Sequence, residues 1–184
     1  VMINGSDPEL LASWMQRGPL IDVDQRMLTV RSIKLVADGA LGSRGAWLLE
    51  PYSDRAGHNG LPTMPVSEMQ DISHLAYRNG FQIAIHAIGD RANREVLDIF
   101  DALFDGRDRG VRFRVEHAQH IHPSDIGRFA RLGGIPSVQG IHMSSDRPWA
   151  IDRLGAARVE SGAYMWRSLI DSGAVLVNGT DVPV

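Results

Sequence analysis

The sequence predicts an α/β fold of parallel strands alternating with helices, arranged as a partial (β/α)8 barrel of TIM type with about six of the eight strands. Three observations lead there. Apolar runs of strand length alternate with segments of helical spacing along most of the chain. The runs are apolar on both faces, as in strands of a parallel sheet covered by helices. His86, His117 and Asp181 each fall at or just past the C-terminal end of a different run, where barrel enzymes carry their reactive groups. An open doubly wound sheet fits the alternation equally well, and these strand-end polar residues are what favour the barrel.

Residues 1–4 read as a strand end, and Asp7-Pro8-Glu9 opens a short helix in which Pro8 suits the first turn. Residues 28–37 read as one buried strand interrupted by Lys34. The stretch 39–65 is rich in Gly and Pro and too long for a plain connector, which marks a functional loop. Met69, Ile72, Leu75 and Ala76 give residues 67–79 helical spacing, stopped by Gly80, and residues 81–86 form an apolar strand. The unit then repeats: helix 90–104 with strand 111–116, helix 124–132 with strand 134–139, and helix 164–172 with strand 174–178.

Composition narrows the chemistry. With 184 residues, 43% hydrophobic and 22% charged, the chain reads as one globular domain. A chain of this length buries about 70% of its unfolded surface and needs no structural metal merely to fold, so stability alone does not account for seven histidines. The absence of cysteine excludes disulfides, zinc fingers and thiol nucleophiles together. A net charge of -3 with interspersed signs offers no footprint for nucleic acid and no polybasic membrane signal. No run approaches the roughly 18 apolar residues of a membrane span, so the expected setting is the cytoplasm and the expected partner a small molecule. The chain opens without Met inside a strand-like run, which reads as a fragment boundary.

Two imidazoles ending adjacent parallel strands, about 4.8 Å apart, can converge on one ion. His86 in Gln82-Ile83-Ala84-Ile85-His86-Ala87 and His117 in Arg114-Val115-Glu116-His117 meet that condition. Asp181 can bind a metal and accept a proton from a water that the ion acidifies. Its alternative reading is an Asx turn before Pro183. Lys34 inside an apolar strand is costly to bury as an ammonium; neutralised, its amine can react with carbon dioxide to give a carbamate, an anionic ligand. The alternatives for Lys34 are a snorkelling edge residue or a salt bridge with Asp38.

Taken together, Lys34, Asp38-Gly39-Ala40-Leu41-Gly42-Ser43-Arg44-Gly45-Ala46, His86-Ala87-Ile88-Gly89-Asp90, Glu116-His117-Ala118-Gln119 and Gly179-Thr180-Asp181-Val182-Pro183 resemble the motif series of the amidohydrolase superfamily. The resemblance is closest to its family 3 branch, with N-substituted formamide deformylase-like proteins, and spans nearly the whole chain. It implies a (β/α)8 barrel of which residues 1–184 hold about strands 3 to 8, with a divalent metal centre, zinc above all, of one or two ions in the complete enzyme. Lys34, carbamylated, His86, His117 and Asp181 match the ligands of strands four, five, six and eight, and Asp181 also matches the residue that activates water. The His-x-His pair of strand one and the small β domain have no match here. His120-Ile121-His122 is the only His-x-His in the chain and reads as loop or helix start, because it follows the strand-six motif and precedes Pro123.

His142, Arg44 and Arg158 are candidates for substrate contact, and His58 and His74 look peripheral. Gly39-x-x-Gly42-x-x-Gly45 lacks both the spacing and the Gly-Lys-Ser/Thr ending of a phosphate loop. The expected function is metal-dependent hydrolysis of a C–N bond in a non-peptide amide or formamide-like substrate. The alternatives are a truncated or decayed barrel, inactive when isolated, and a nucleotide-binding domain. Open sheet edges in a partial barrel would favour homo-oligomers or pairing with another chain.

Overall fold

A computed structural model describes residues 1–103 and 112–182. Its strands are β1 (Met2–Asn4), β2 (Leu20–Asp22), β3 (Leu28–Val30), β4 (Ser32–Val36), β5 (Gln82–Ala87), β6 (Arg114–His117), β7 (Ile135–Val138) and β8 (Val177–Asn178). Its helices are α1 (Pro8–Arg17), α2 (Val23–Arg26), α3 (Val66–Arg78), α4 (Asp90–Leu103), α5 (Ile126–Leu132), α6 (Gly140–Leu154), α7 (Ala156–Gly162) and α8 (Trp166–Asp171). Phe104, Val111 and Pro183, which the sequence places at a helix end, a strand start and a turn, lie outside the described residues.

Six strands form one sheet in the order β1-β4-β5-β6-β7-β8, and every pairing in it is parallel. Helices separate successive strands, as the alternation predicts. The arrangement is the α/β architecture of a partial barrel, with β1 and β8 each paired on one side only among the described residues. Local signals set the element ends. Asp7 caps α1 by accepting from the backbone N–H groups of Glu9 at 3.1 Å and Leu10 at 3.0 Å, and Pro8 occupies the first turn, where its missing N–H has no partner to lose.

Two parts of the chain depart from the sequence reading. Residues 28–37 are two strands rather than one: β3 pairs antiparallel with β2 in a hairpin, and β4 joins the main sheet. The hairpin turns through α2, whose Asp24 and Gln25 have left-handed backbones. Asp22 and Asp24 tolerate such backbones, but without Gly, Asn or Pro the turn signal there is weak. Helices α6 and α7 were also not foreseen. Ser144, Ser145, Asp146 and Pro148 interrupt the apolar period of α6, and much of its surface is exposed.

The strands are not apolar on both faces, as the sequence reading has them: their period of two divides the sheet into a greasy face and a polar one. Ile33, Leu35, Ile83, Ile85 and Val115 are fully buried against helix residues that include Met69, Val96, Leu97, Phe100 and Phe129. Each such side chain contributes roughly 1.5–3 kcal/mol through burial. The opposite face carries Ser32, Lys34, Gln82, His86, Arg114, Glu116 and Ser137. Ser32 Oγ donates to Gln82 Oε1 at 2.5 Å, and Arg114 donates to Glu116 at 2.7 Å and to Ser137 at 2.8 Å.

Unpaired backbone groups on β1 and β8 are templates for further strands. The 184-residue polypeptide expressed alone is expected to self-associate. Sedimentation velocity across a concentration series tests this, and a monodisperse monomer at every concentration would show the edges to be protected.

Candidate metal centre

The register of the sheet aligns the polar face in rows. Lys34 lies beside Ala84 and Arg114, while His86 lies one pleat further along, level with Val36, Glu116 and Ser137. Burial lowers the Lys34 pKa, the charges of Glu116 and Asp181 pull it back up, and Arg114 lowers it. Burial also opposes ionisation of Glu116, yet hydrogen bonds with Arg114 and Ser137 hold its carboxyl below the usual range.

His117 ends β6 on the row of Ala87, and strict alternation would turn it with Val115 toward the helices. Its backbone is left-handed, with φ 73°, and that of Ala118 follows at 44°. This break lets the imidazole meet His86. The two rings lie 4.5 Å apart between centroids at an interplanar angle of 71°.

Each imidazole faces an acceptor on its far side. His117 Nδ1 donates to Gln139 Oε1 at 2.8 Å, which leaves the Nε2 lone pair free. The Gln139 amide is oriented by its own donation to the Ser137 carbonyl at 3.3 Å. His86 Nε2 stands 3.4 Å from Asp38 Oδ1. Burial, then the neighbouring His86, push the His117 pKa down to about 4, so this imidazole is neutral near pH 7 and suited to a metal.

Asp38 is wholly buried and accepts from the backbone N–H groups of Trp47, Ile88 and Gly89. It therefore clamps the loop after β4 to the turn before α4 and does not pair with Lys34, which excludes that alternative for the lysine. Asp90 grips the same loop by accepting from Leu49 N–H at 2.9 Å. The Trp47 carbonyl accepts from Arg91 and Ala92 at the start of α4. A Cβ on Gly89 would stand 2.0 Å from that carbonyl, so only glycine lets the loop approach so closely.

Of the remaining candidates, His142 and Asp181 lie near the two histidines and the arginines do not join them. His142, in the first turn of α6, stacks beside His117 with centroids 5.8 Å apart. Asp181 is exposed and has a left-handed backbone, and its charge reaches both Lys34 and His117. Arg44 forms a two-point pair with Asp54 at 3.0 and 2.7 Å, and Arg153 joins the same carboxylate. Arg158 donates to the carbonyls of Leu154, Glu50 and Pro51 and to Ser53 Oγ. Arg44 is thus engaged within the long loop, which Arg153 ties to α6, and Arg158 ties that loop to α7. His120 is buried with its Nε2 3.5 Å from Asp90 Oδ2, and His122 caps the turn at Pro123–Asp125; the His-x-His pair is thus loop and helix start.

As a metal site, the pair His86 and His117 fits: one imidazole is held neutral with a free lone pair, and its neighbour is backed by a carboxylate. Among the described residues no three His, Asp or Glu side chains are placed as a ready ligand set. The fit therefore rests on the two imidazoles with Lys34 and Asp181 in electrostatic reach. The sequence reading missed two supporting residues, Asp38 and Gln139. Asp38 was visible only as part of the motif at 38–46 and as a partner for Lys34, and Gln139 only as a strand end; nothing local in either motif marks a partner so distant along the chain.

The profile of the amidohydrolase family matches residues 3–184. The chain belongs to the amidohydrolase family. It is 36% identical over 176 residues to Protein LONG AFTER FAR-RED 3 of Arabidopsis thaliana, covering 95% of this chain and 30% of that protein. It is also 36% identical over 153 residues to the putative amidohydrolase YtcJ of Bacillus subtilis, covering 83% of this chain and 28% of that one. Among solved structures, an uncharacterized metal-dependent hydrolase from Pyrococcus furiosus superposes with a TM-score of 0.83 at 31% identity, covering 96% of this chain and 36% of that one. A second, from Pyrococcus horikoshii, gives 0.82 at 34% identity, with 96% and 34% covered. This amidohydrolase-family chain thus spans about a third of the length of the relatives it matches.

The depressed His117 pKa predicts a pH dependence of stability in metal-free protein. The unfolded chain takes up this proton near pH 6.5, whereas the folded chain holds it off until about pH 4. Stability is therefore full above that window, falls as pH drops through it, and levels off below it, a loss of roughly 3 kcal/mol. Urea unfolding at stepped pH values measures this. His117→Gln is expected to flatten the slope, and an unchanged slope would assign the titration to another group.

Proposed function

We propose that this chain forms the larger part of a metal-dependent hydrolase site acting on the C–N bond of a non-peptide amide or formamide-like substrate. One observation carries the reading. Two imidazoles meet at the C-terminal ends of adjacent strands, one of them neutral with its Nε2 free, beside a desolvated lysine. Family membership and the likeness to metal-dependent hydrolases support it.

His86 and His117 would hold a divalent ion, zinc by donor type, with one or two ions in the complete enzyme. A bound ion supplies Lewis acidity that polarises a carbonyl and acidifies a water. Burial drives Lys34 toward its neutral amine, which adds to carbon dioxide and releases a proton to form a carbamate, an anionic ligand between the strands of Asn4 and His86. Asp181 takes the proton from the attacking water and returns it to the leaving nitrogen. His142, whose ring stacks beside that of His117, would contact the substrate. Arg44 and Arg158 shape the substrate mouth through the loop they hold and contact an anionic or carbonyl group there. No described helix is long and apolar enough to cross a membrane, and a small molecule acted on in the cytoplasm is the proposed substrate. Pairing through β1 or β8, with another chain or a second copy, completes the proposed assembly.

In the full-length protein, hydrolysis of a panel of N-acyl and N-formyl compounds, lost with a chelator and restored by zinc, tests the reading. Lys34→Ala is expected to lower turnover at least about 100-fold, with partial rescue by a short carboxylic acid. Unchanged turnover refutes the role of Lys34. Residues 1–184 alone are expected to turn over little or no substrate.

A further inference from the structure

We propose that Asp38 is a positioning residue of this centre: its carboxylate accepts the His86 Nε2–H, turns Nδ1 toward the ion, and ties that ligand to the loop after β4. The inference rests on the metal-centre reading above.

A carboxylate such as that of Asp38 offers about four acceptor positions. Three are filled by backbone donors: Oδ1 accepts from Ile88 at 3.0 Å, and Oδ2 accepts from Trp47 and Gly89, both at 2.8 Å. The fourth position is on Oδ1, and His86 Nε2 stands 3.4 Å from that atom. This nitrogen is buried and has no hydrogen-bond partner at normal geometry. A bare lone pair facing a buried carboxylate would be repelled, so the proton belongs on Nε2 and the lone pair on Nδ1. The distance is that of a donor slightly withdrawn from its acceptor, and ligation at Nδ1 would make Nε2–H a stronger donor and shorten it.

A second relation supports a role beyond holding the loop. His117 is fixed in the same manner by Gln139, a neutral acceptor, through its other nitrogen. The two rings are therefore held by different acceptors at opposite nitrogens and meet at 71°. A carboxylate thus stands behind one imidazole and a neutral amide behind the other. Asp38 also binds Trp47 N–H, so any shift of the His86 ring is felt by the loop that overlies the site.

Two measurements on the full-length protein test this. In the metal-free wild type, labelled with 15N-histidine and assigned with His86→Asn, the His86 ring at pH 8 is expected as the Nε2–H tautomer; an Nδ1–H tautomer overturns the proposal. In Asp38→Asn, zinc measured by chelator competition is expected to bind about 10–100-fold more weakly, and the cobalt-substituted protein should show shifted visible absorption bands. If Asp38 served only the loop, the variant would melt earlier without metal yet bind zinc with wild-type affinity, and that result too would overturn the proposal. A wild type whose zinc affinity is unchanged by His117→Ala would instead sink the metal-centre reading itself. Should Asp38→Asn fail to fold, the tautomer measurement on the wild type still decides.

Discussion

A carboxylate removed from water must be surrounded by donors, and around Asp38 that requirement organises much of this chain. Its oxygens collect N–H groups from Trp47 on the long loop and from Ile88 and Gly89 on the turn after β5. The loop can come this close only because residue 89 is glycine and because the start of α4 offers N–H groups to the Trp47 carbonyl. Asp90 repeats the arrangement two residues along the loop, at Leu49. Two buried acids thus hold one loop against the mouth of the sheet, and each faces a histidine.

The sheet beneath imposes the second constraint. One face buries branched aliphatics against the helices, which stabilises the fold. The other face carries a lysine, a histidine, an arginine and a glutamate in register. Such polar groups are tolerable only where they satisfy one another, as Arg114, Glu116 and Ser137 do. Lys34 lies buried beside them, and that burial lowers its pKa against the pull of Glu116 and Asp181. His117 reaches this face only through a left-handed backbone, a strained conformation of the kind that clusters at functional sites.

Strands β4 to β8, the helices between β4 and β7, and α8 were readable because period and apolar run length report burial directly. The hairpin of β2 and β3 was not, because its turn carries only Asp22 and Asp24 as turn residues and continues through Gln25 and Arg26 in left-handed backbones. Helices α6 and α7 were not, because a partly exposed helix containing Pro148 has little apolar period to show. At the site, His86, His117, Lys34 and Asp181 stood out by their places in strands and motifs. Asp38 and Gln139 did not, since their partners are 48 residues and 22 residues distant along the chain.

The sequence by itself determined the alternation of strands and helices and which residues end the strands, because these follow from local spacing and side-chain chemistry, whereas the polar face of the sheet contradicts its reading of strands apolar on both sides. Tertiary structure alone decided the parallel order of the six strands, the meeting of His86 with His117, the engagement of Arg44 and Arg158 within the loop, and the position of Asp38 behind a histidine. Those features depend on register between strands and on loops returning over the sheet. Such contacts join residues far apart in the chain, and no local pattern encodes their partners.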